Sequence, residues 1–452
     1  MSKNLRSFLD SVKDETVFID EPVSPRFAIN AYAEAYERRQ MYPLLFFNNV
    51  EKKKVVTNVF ASTSRMGRAL GCREGERVSA KFFKLAAEPI PPVTVTAHPY
   101  DVDERDISSL PHIVHNELDG GAFIDSGLTV LKDPESGALN MGIYRQQIYD
   151  EKHIGILADP GHDAQLIIEK YSKLKMEVPV TINISLHPAA YFGAVSRPLG
   201  IGGEMDAAGG FLQEPLEIAV GEEVNIPYLV QSEAVIEGVI EDPSVVREEG
   251  PFGEWPKYYS GKQRVPIITV KRVRMKKDFI YLDIAAAFKD HLNLGVNIPH
   301  LASVYNSVRA VSPSVKDVRF GYDFAPLLYI QMEKLNEGDA KRAAMAALAT
   351  EIAIRMVIVV DEDVDIYSDE AVFWAVTTRV SHASAFTIIE GSLGNFLNPA
   401  GYSAGGENRT LDDKVIIDAT KPITGFPTVA GAPKDLVASI MRKIETSSKA
   451  NN

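Results

Sequence analysis

Glu249 and Glu254 stand at the two ends of Glu249-Gly250-Pro251-Phe252-Gly253-Glu254, a run whose glycines and proline favour a compact turn. Such a turn can aim both carboxyl groups into one pocket. Burial and mutual repulsion there raise the pKa of one, leaving an acid able to deliver a proton near neutral pH. A solvated acidic surface turn, extended by Glu248, is the other reading of the same residues. In Asn140-Met141-Gly142-Ile143-Tyr144-Arg145, strand alternation puts Asn140 and Gly142 on one face. Arg145 then sits near the strand end, as a planar, permanently charged fork for a carboxylate or as an ordinary surface cation. His162, in Asp159-Pro160-Gly161-His162-Asp163, and Glu204, in Gly202-Gly203-Glu204-Met205, belong to separate loops. With Asn140 they supply an amide oxygen, an imidazole and a carboxylate, the start of an octahedral shell around a divalent ion completed by phosphate oxygens. Spacing alone leaves His162 equally an ordinary loop histidine. Gly200, Gly202 and Gly203 lack the strand-to-helix unit of a dinucleotide loop, which excludes a Rossmann reading.

The elements that must position these groups read as α/β, then β, then α/β. Over 452 residues the chain carries 61 acidic and 48 basic side chains, a net charge of −13, and one cysteine, Cys72. That balance argues against sequence-independent nucleic-acid binding, and a lone cysteine points to a reducing cytoplasm. No apolar run of signal-peptide length precedes Asp10, Lys13 and Asp14. The most apolar stretch, 343–360, holds Glu351 and Arg355, so it is expected as a buried helix running into a strand and not a membrane span. Residues 1–105 alternate helix and strand patterns (27–39, 43–48, 54–59, 64–70) and end at a proline-rich segment. Short β-branched runs with Gly, Pro and Asp between them fill 106–289 and predict a barrel or sandwich, with strands at 123–131, 141–147, 178–184, 234–240 and 267–275. A helical linker spans 290–312. Residues 313–452 alternate again and close on a polar, mobile tail from Ser447.

Several runs, in order along nearly the whole chain, resemble the UbiD family of decarboxylases that use prenylated FMN. They include Asn58–Gly71, Asp119-Gly120-Gly121, Asn140–Arg145, Gly193-Ala194-Val195-Ser196 leading to Glu204, and Glu249–Glu254. They continue through Val359–Asp365, Phe373–Arg379 and Ile417–Pro422. The resemblance implies an N-terminal α/β domain, a central flavin-reductase-like β-barrel that holds the cofactor, and a C-terminal α/β domain used in dimerisation. Matched residue by residue, Asn140, His162 and Glu204 fall on the positions that bind a divalent ion, usually Mn2+, which grips the flavin phosphate; a K+ site is also usual. Gly142, Ile143, Arg145 and Gly161 fall beside the flavin, with Gly142 and Gly161 standing where some relatives carry serine and glutamine. Arg145, Glu249 and Glu254 fall on the catalytic trio.

In the family the flavin forms a covalent adduct with an aromatic or α,β-unsaturated acid, carbon dioxide leaves, and a proton replaces it, reversibly. The resemblance makes Glu254 that proton donor, Arg145 the group that orients the carboxylate, and Glu249 its tuner. His291, Asn297 and His300 lie where relatives line the substrate, and their polarity fits an acid with a second polar handle, such as furan-2,5-dicarboxylate or a hydroxybenzoate. A flavin prenyltransferase as cofactor supplier and a homodimer or higher homo-oligomer are the expected partners, with neither nucleic acid nor membrane. A catalytically silent subunit of a multi-subunit carboxylase, or a plain FMN-binding reductase-like protein, are the competing expectations.

Overall fold

The computed structural model describes residues 3–96, 99–159, 161–196, 203–403 and 410–450. Pro160, Gly200, Gly202 and the last two residues of the expected tail therefore lie outside the described residues. Strands Thr16–Ile19, Leu44–Val50 and Lys53–Thr57 form the first sheet, with helix Ala28–Glu37 between the first two. Its fourth strand comes from far along the chain: Ile280–Leu282 pairs in parallel with Lys54–Val56. The apolar alternation of these strands buries Leu45, Phe47, Val55 and Val56 completely, and the core is shared with helices such as Thr63–Leu70.

The central sheet is antiparallel, built around the 13-residue strand Gln263–Met275, which pairs with His153–Ile156, Ala234–Ile240, Val246–Glu249 and Val102–Glu104. Its path runs from Ala122–Ile124 at one end to Leu139–Ile143 at the other. Among the described residues no ladder joins those ends, so the sheet is curled but open where a closed barrel was expected. Helices Pro188–Val195 and Glu204–Leu212 pack beside the Leu139–Ile143 edge, covering backbone groups that closure would otherwise have satisfied. The third layer is a mixed sheet ordered Val315–Phe320, Leu327–Met332, Met356–Asp361, Thr410–Ala419, Phe386–Leu393. It packs against helices Ile298–Val311 and Asp339–Thr350.

The expected helix-into-strand at 343–360 is present as Asp339–Thr350 and Met356–Asp361, and no described helix is long and apolar enough to cross a membrane. Three further expectations need correction, the first being the supposed single strand over 123–131, which is two, Ala122–Ile124 and Leu128–Lys132. The supposed single strand over 141–147 is two, Leu139–Ile143 and Gln146–Ile148, parted at Tyr144-Arg145. The polar tail is instead the end of helix Lys434–Ala450; Leu436, Val437, Ile440, Met441 and Ile444 recur at helical spacing, and the serines that follow extend the last turn.

Candidate active site

Arg145 follows the break after Ile143 and reaches the Glu249–Glu254 turn. Its Nε and Nη2 donate to Glu249 Oε1 and Oε2 at 2.8 and 2.7 Å, a bidentate pair. Nη1 donates to Glu254 Oε1 and, at 2.8 Å, to Ser260 Oγ. Four of the five guanidinium N–H groups are thereby engaged, and one on Nη2 is left for a ligand. The guanidinium also lies 5.6 Å from the centre of the Phe252 ring. Glu249 is fully buried and Glu254 is 8% exposed.

Burial raises the pKa of both carboxyls, against the pull of Arg145. The two acids are not equivalent. Glu249 takes both bonds of the bidentate pair, which favour its charged form. Glu254 takes one, and neighbouring carboxylates raise both acids, Asp159 acting on each, Glu254 on Glu249 and Asp119 on Glu254. Glu254 is therefore the better placed of the two to carry a proton.

The turn is held by a neighbour whose role no spacing reveals. Gly120 N–H donates to Pro251 O at 2.7 Å, and Gln147 bridges the segments, donating to Gly120 O and accepting from Gly250 N, each at 2.8 Å. Asp119 accepts from Gly253 N at 2.9 Å. A Cβ on Gly120 would stand 2.2 Å from the backbone atom Gly250 O, so that position excludes any side chain, while one on Gly253 would stand 2.2 Å from Asn116 Nδ2 and require that side chain to shift. Ser260, Gln147 and Asn116 were not among the expected site residues. Gln147, on the strand that begins just after Arg145, was adjacent in sequence to a site residue; Ser260 offered no signal.

Asn140 and Glu204 come together at the covered edge of the sheet. Glu204 opens helix Glu204–Leu212, and its Oε2 accepts from Met141 N at 3.3 Å. Burial raises its pKa, and the charge of Asp163 adds to the rise. Asn140 Oδ1 accepts from Tyr144 Oη at 2.9 Å. The Tyr144 ring folds against Gly142, where a Cβ would lie 2.6 Å from its hydroxyl, which accounts for glycine there; Ile143 ends the strand beside it. His162 is the exposed N-cap of helix Asp163–Leu174 and caps nothing with its ring. Gly161 before it takes a left-handed φ of +85° with open space around it. Half-buried Glu204 and the Asn140 amide oxygen are donors that suit a divalent ion bound to a phosphate at a helix N-terminus, while among the described residues no contact joins the exposed His162 ring to them.

Of the three expected substrate residues, His291 faces the trio. Its ring lies 6.2 Å from that of Phe252, and burial pushes its pKa down to about 4, so it is neutral at pH 7. Asn297 donates to Asn293 Oδ1 and Asp323 O at 2.8 and 2.7 Å and lines a groove of about 650 Å³ between the N-terminal and C-terminal layers. His300 is turned to Glu351, with Nδ1 2.5 Å from Oε2, and is not brought to the trio. Next to Glu254, Trp255 meets Phe324 of the C-terminal layer at 6.2 Å.

Three domain models match in sequence order: the 3-octaprenyl-4-hydroxybenzoate carboxy-lyase N-terminal domain at residues 11–82, its Rift-related domain (UbiD) at 90–287 and its C-terminal domain at 296–419. Phenolic acid decarboxylase from Sedimentibacter hydroxybenzoicus is 32% identical over 94% of this chain and 93% of its own. Anhydromevalonate phosphate decarboxylase from Methanosarcina mazei is 30% identical over 92% and 96%. The UbiD-class enzyme HmfF from Pelotomaculum thermopropionicum, solved with FMN, superposes with a TM-score of 0.86 at 28% identity, covering 96% of this chain and 98% of that one. An evolved dimeric form of it, solved with prFMN, gives 0.84 at 29% over the same shares. With all three domain models matched and near-full-length identity to these enzymes, the chain belongs to the UbiD family of carboxy-lyases.

Proposed function

We propose that this chain catalyses reversible, non-oxidative decarboxylation of an aromatic or heteroaromatic acid with prenylated FMN, and that Arg145, Glu249 and Glu254 are its catalytic groups. The observation that carries the reading is a buried guanidinium held between two buried carboxyls. Asn140, His162 and Glu204 would hold a divalent ion such as Mn2+ for the flavin phosphate, with Gly142, Ile143 and Gly161 alongside, and K+ would be the accompanying monovalent ion. Losing carbon dioxide from an sp² carbon leaves a carbanion that no side chain can stabilise, and prenylated FMN supplies the electron sink when bound. The free N–H on Arg145 Nη2 orients the substrate carboxylate. Glu249 keeps Arg145 in that pose through the bidentate pair. Glu254 delivers its proton to the carbon that carbon dioxide has left, and takes it back in the carboxylating direction. The enclosure around Phe252 excludes water and favours release of a neutral gas from a charged carboxylate.

A second polar handle on the substrate, as in furan-2,5-dicarboxylate or a hydroxybenzoate, meets His291 and Asn297. The relatives named phenolic acid decarboxylase support the aromatic class. The enzyme works in the cytoplasm as a homodimer joined through its C-terminal layer, and a flavin prenyltransferase supplies its cofactor. A catalytically silent subunit would have no use for the complete trio. The test is the chain co-produced with a flavin prenyltransferase, checked for bound modified flavin and offered a panel of aromatic, furan and pyrrole acids. Carbon dioxide release, or deuterium incorporation into product, is expected; flavin-free protein, or inertness toward the whole panel, refutes the proposal.

A further inference from the structure

Phe252 also touches a second polar cluster, one that the chemistry above leaves unused. Its ring lies 6.2 Å from that of His115. His115 Nε2 is 2.8 Å from Asp283 Oδ1 and 3.1 Å from Asp125 Oδ2. The three residues are 2%, 0% and 7% exposed, and each comes from a different stretch of chain. Asp125 follows strand Ala122–Ile124 of the central sheet, and Asp283 follows the Ile280–Leu282 strand of the N-terminal sheet. Hydrogen bonding within the cluster is incomplete. Asp283 Oδ2 and His115 Nδ1 have no hydrogen-bond partner among the described residues. Thr57 borders Asp283, and Tyr281 feels the charge of both acids. Buried polar groups in folded proteins are almost always paired, and a single imidazolium can balance only one of two buried carboxylates. Two unpaired atoms beside two buried carboxyls and one imidazole therefore leave a place for a ligand that accepts lone pairs and carries two positive charges.

We propose that His115, Asp125 and Asp283 form a closed site for a divalent transition-metal ion such as Mn2+, Fe2+ or Zn2+, separate from the Asn140, His162 and Glu204 set. One imidazole nitrogen with two carboxylates suits these borderline ions, and two carboxylates cancel the charge of the ion in a water-free interior. Metal–ligand distances of ~2.0–2.2 Å put neighbouring ligand atoms ~3 Å apart, close to the 2.8 and 3.1 Å separations here. One donor atom from each residue lies within 4.8 Å of the others. The Tyr281 and Thr57 hydroxyls are at hand to extend the shell. The ion ties the central sheet to the N-terminal sheet beside Phe252, whose ring in turn supports Arg145. Because the donors assemble only in the folded chain, metal loading accompanies folding.

The test uses the full-length protein expressed with manganese and zinc in the medium, dialysed against EDTA, and assayed for metal before and after unfolding in guanidinium. About one equivalent per chain is expected to survive dialysis and to be released only on unfolding. The retained metal should be the same in His162→Ala and at least about tenfold lower in the isosteric Asp283→Asn. Absence of EDTA-resistant metal from the wild type, or full retention by folded Asp283→Asn, overturns the proposal. Should Asp283→Asn fail to fold, His162→Ala, which lacks a ligand of the other set, is refolded from guanidinium with EDTA or with Mn2+ and Zn2+. A higher yield and Tm with metal supports the site, and identical refolding overturns it.

Discussion

Replacing Gly120 by alanine tests whether the segment behind the catalytic turn sets the geometry of the trio. The new Cβ would stand 2.2 Å from Gly250 O and 2.6 Å from Gly250 C, both backbone atoms that cannot swing aside. Restoring an ordinary contact requires the two segments to part by about 1 Å, which also strains the Gly120 N–H bond to Pro251 and both Gln147 bonds. Glu249 and Glu254 flank the displaced backbone, so the shift is passed directly to the acids that hold Arg145. A misplacement of that size lowers turnover by about 10²-fold, while overpacking of this kind costs about 1–3 kcal/mol of stability. Asn140, His162 and Glu204, proposed to anchor the flavin phosphate, lie on other segments, so flavin absorbance should be retained. Gly261→Ala is the control, since a Cβ there meets nothing within 4 Å. The assay is kcat on the best acid of the panel, with flavin absorbance and thermal melting measured on the same samples. A kcat for Gly120→Ala within about threefold of wild type would refute the idea that this close approach positions the acids.

Glu254→Gln keeps an acceptor for Arg145 but has no proton to give, so turnover should fall by ~10²–10⁴ with cofactor absorbance unchanged; full turnover would remove Glu254 from the mechanism. Because the proton-bearing form of Glu254 does the work, the wild-type rate should fall as pH rises through its raised pKa, a limb that any residual activity of the Gln variant should lack. His162→Ala should lower metal and flavin occupancy together, measured by elemental analysis and absorbance, and unchanged occupancy would contradict the assignment. Asp290, buried and accepting N–H bonds from Asn58, Phe60 and Ala285, has its pKa pushed up to about 7. The folded state thus binds a proton that the unfolded chain has released, and Asp290 loses its favourable contribution as pH rises from the ordinary carboxylate range through 7. The destabilisation caused by Asp290→Asn should therefore shrink between pH 5 and pH 8 in denaturant titrations, and a gap that stays constant or widens would be the wrong sign.

Much of this was legible in the amino-acid pattern because the signals are local. Alternation over Val178–Ile184 and Ala234–Ile240 marks strands with the observed bounds. The helix ending at Val311 stops where Ser312-Pro313 forbids its continuation. The Glu249–Glu254 run announced two acids on a compact turn. What escaped depends on long-range pairing. Periodicity marks a strand but not its partner, so the transfer of Ile280–Leu282 to the N-terminal sheet and the open path of the central sheet were invisible. Ser260 is a single hydroxyl with no pattern, and His115, Asp125 and Asp283 lie too far apart in the chain for spacing to link them. His300 shows the converse failure: a plausible polar position whose ring is taken by Glu351.

The late arrival of Ile280–Leu282 bears on how the protein is made. Ribosomes add ~5–20 residues per second, so the partner of Lys54–Val56 emerges tens of seconds after it. Throughout that interval the Lys53–Thr57 strand, with the apolar Val55 and Val56, is an unfinished edge open to pairing with other nascent chains. Fragments that stop short of residue 282 should accordingly aggregate, and a chaperone that shields that edge until the strand is delivered would raise the yield of native enzyme.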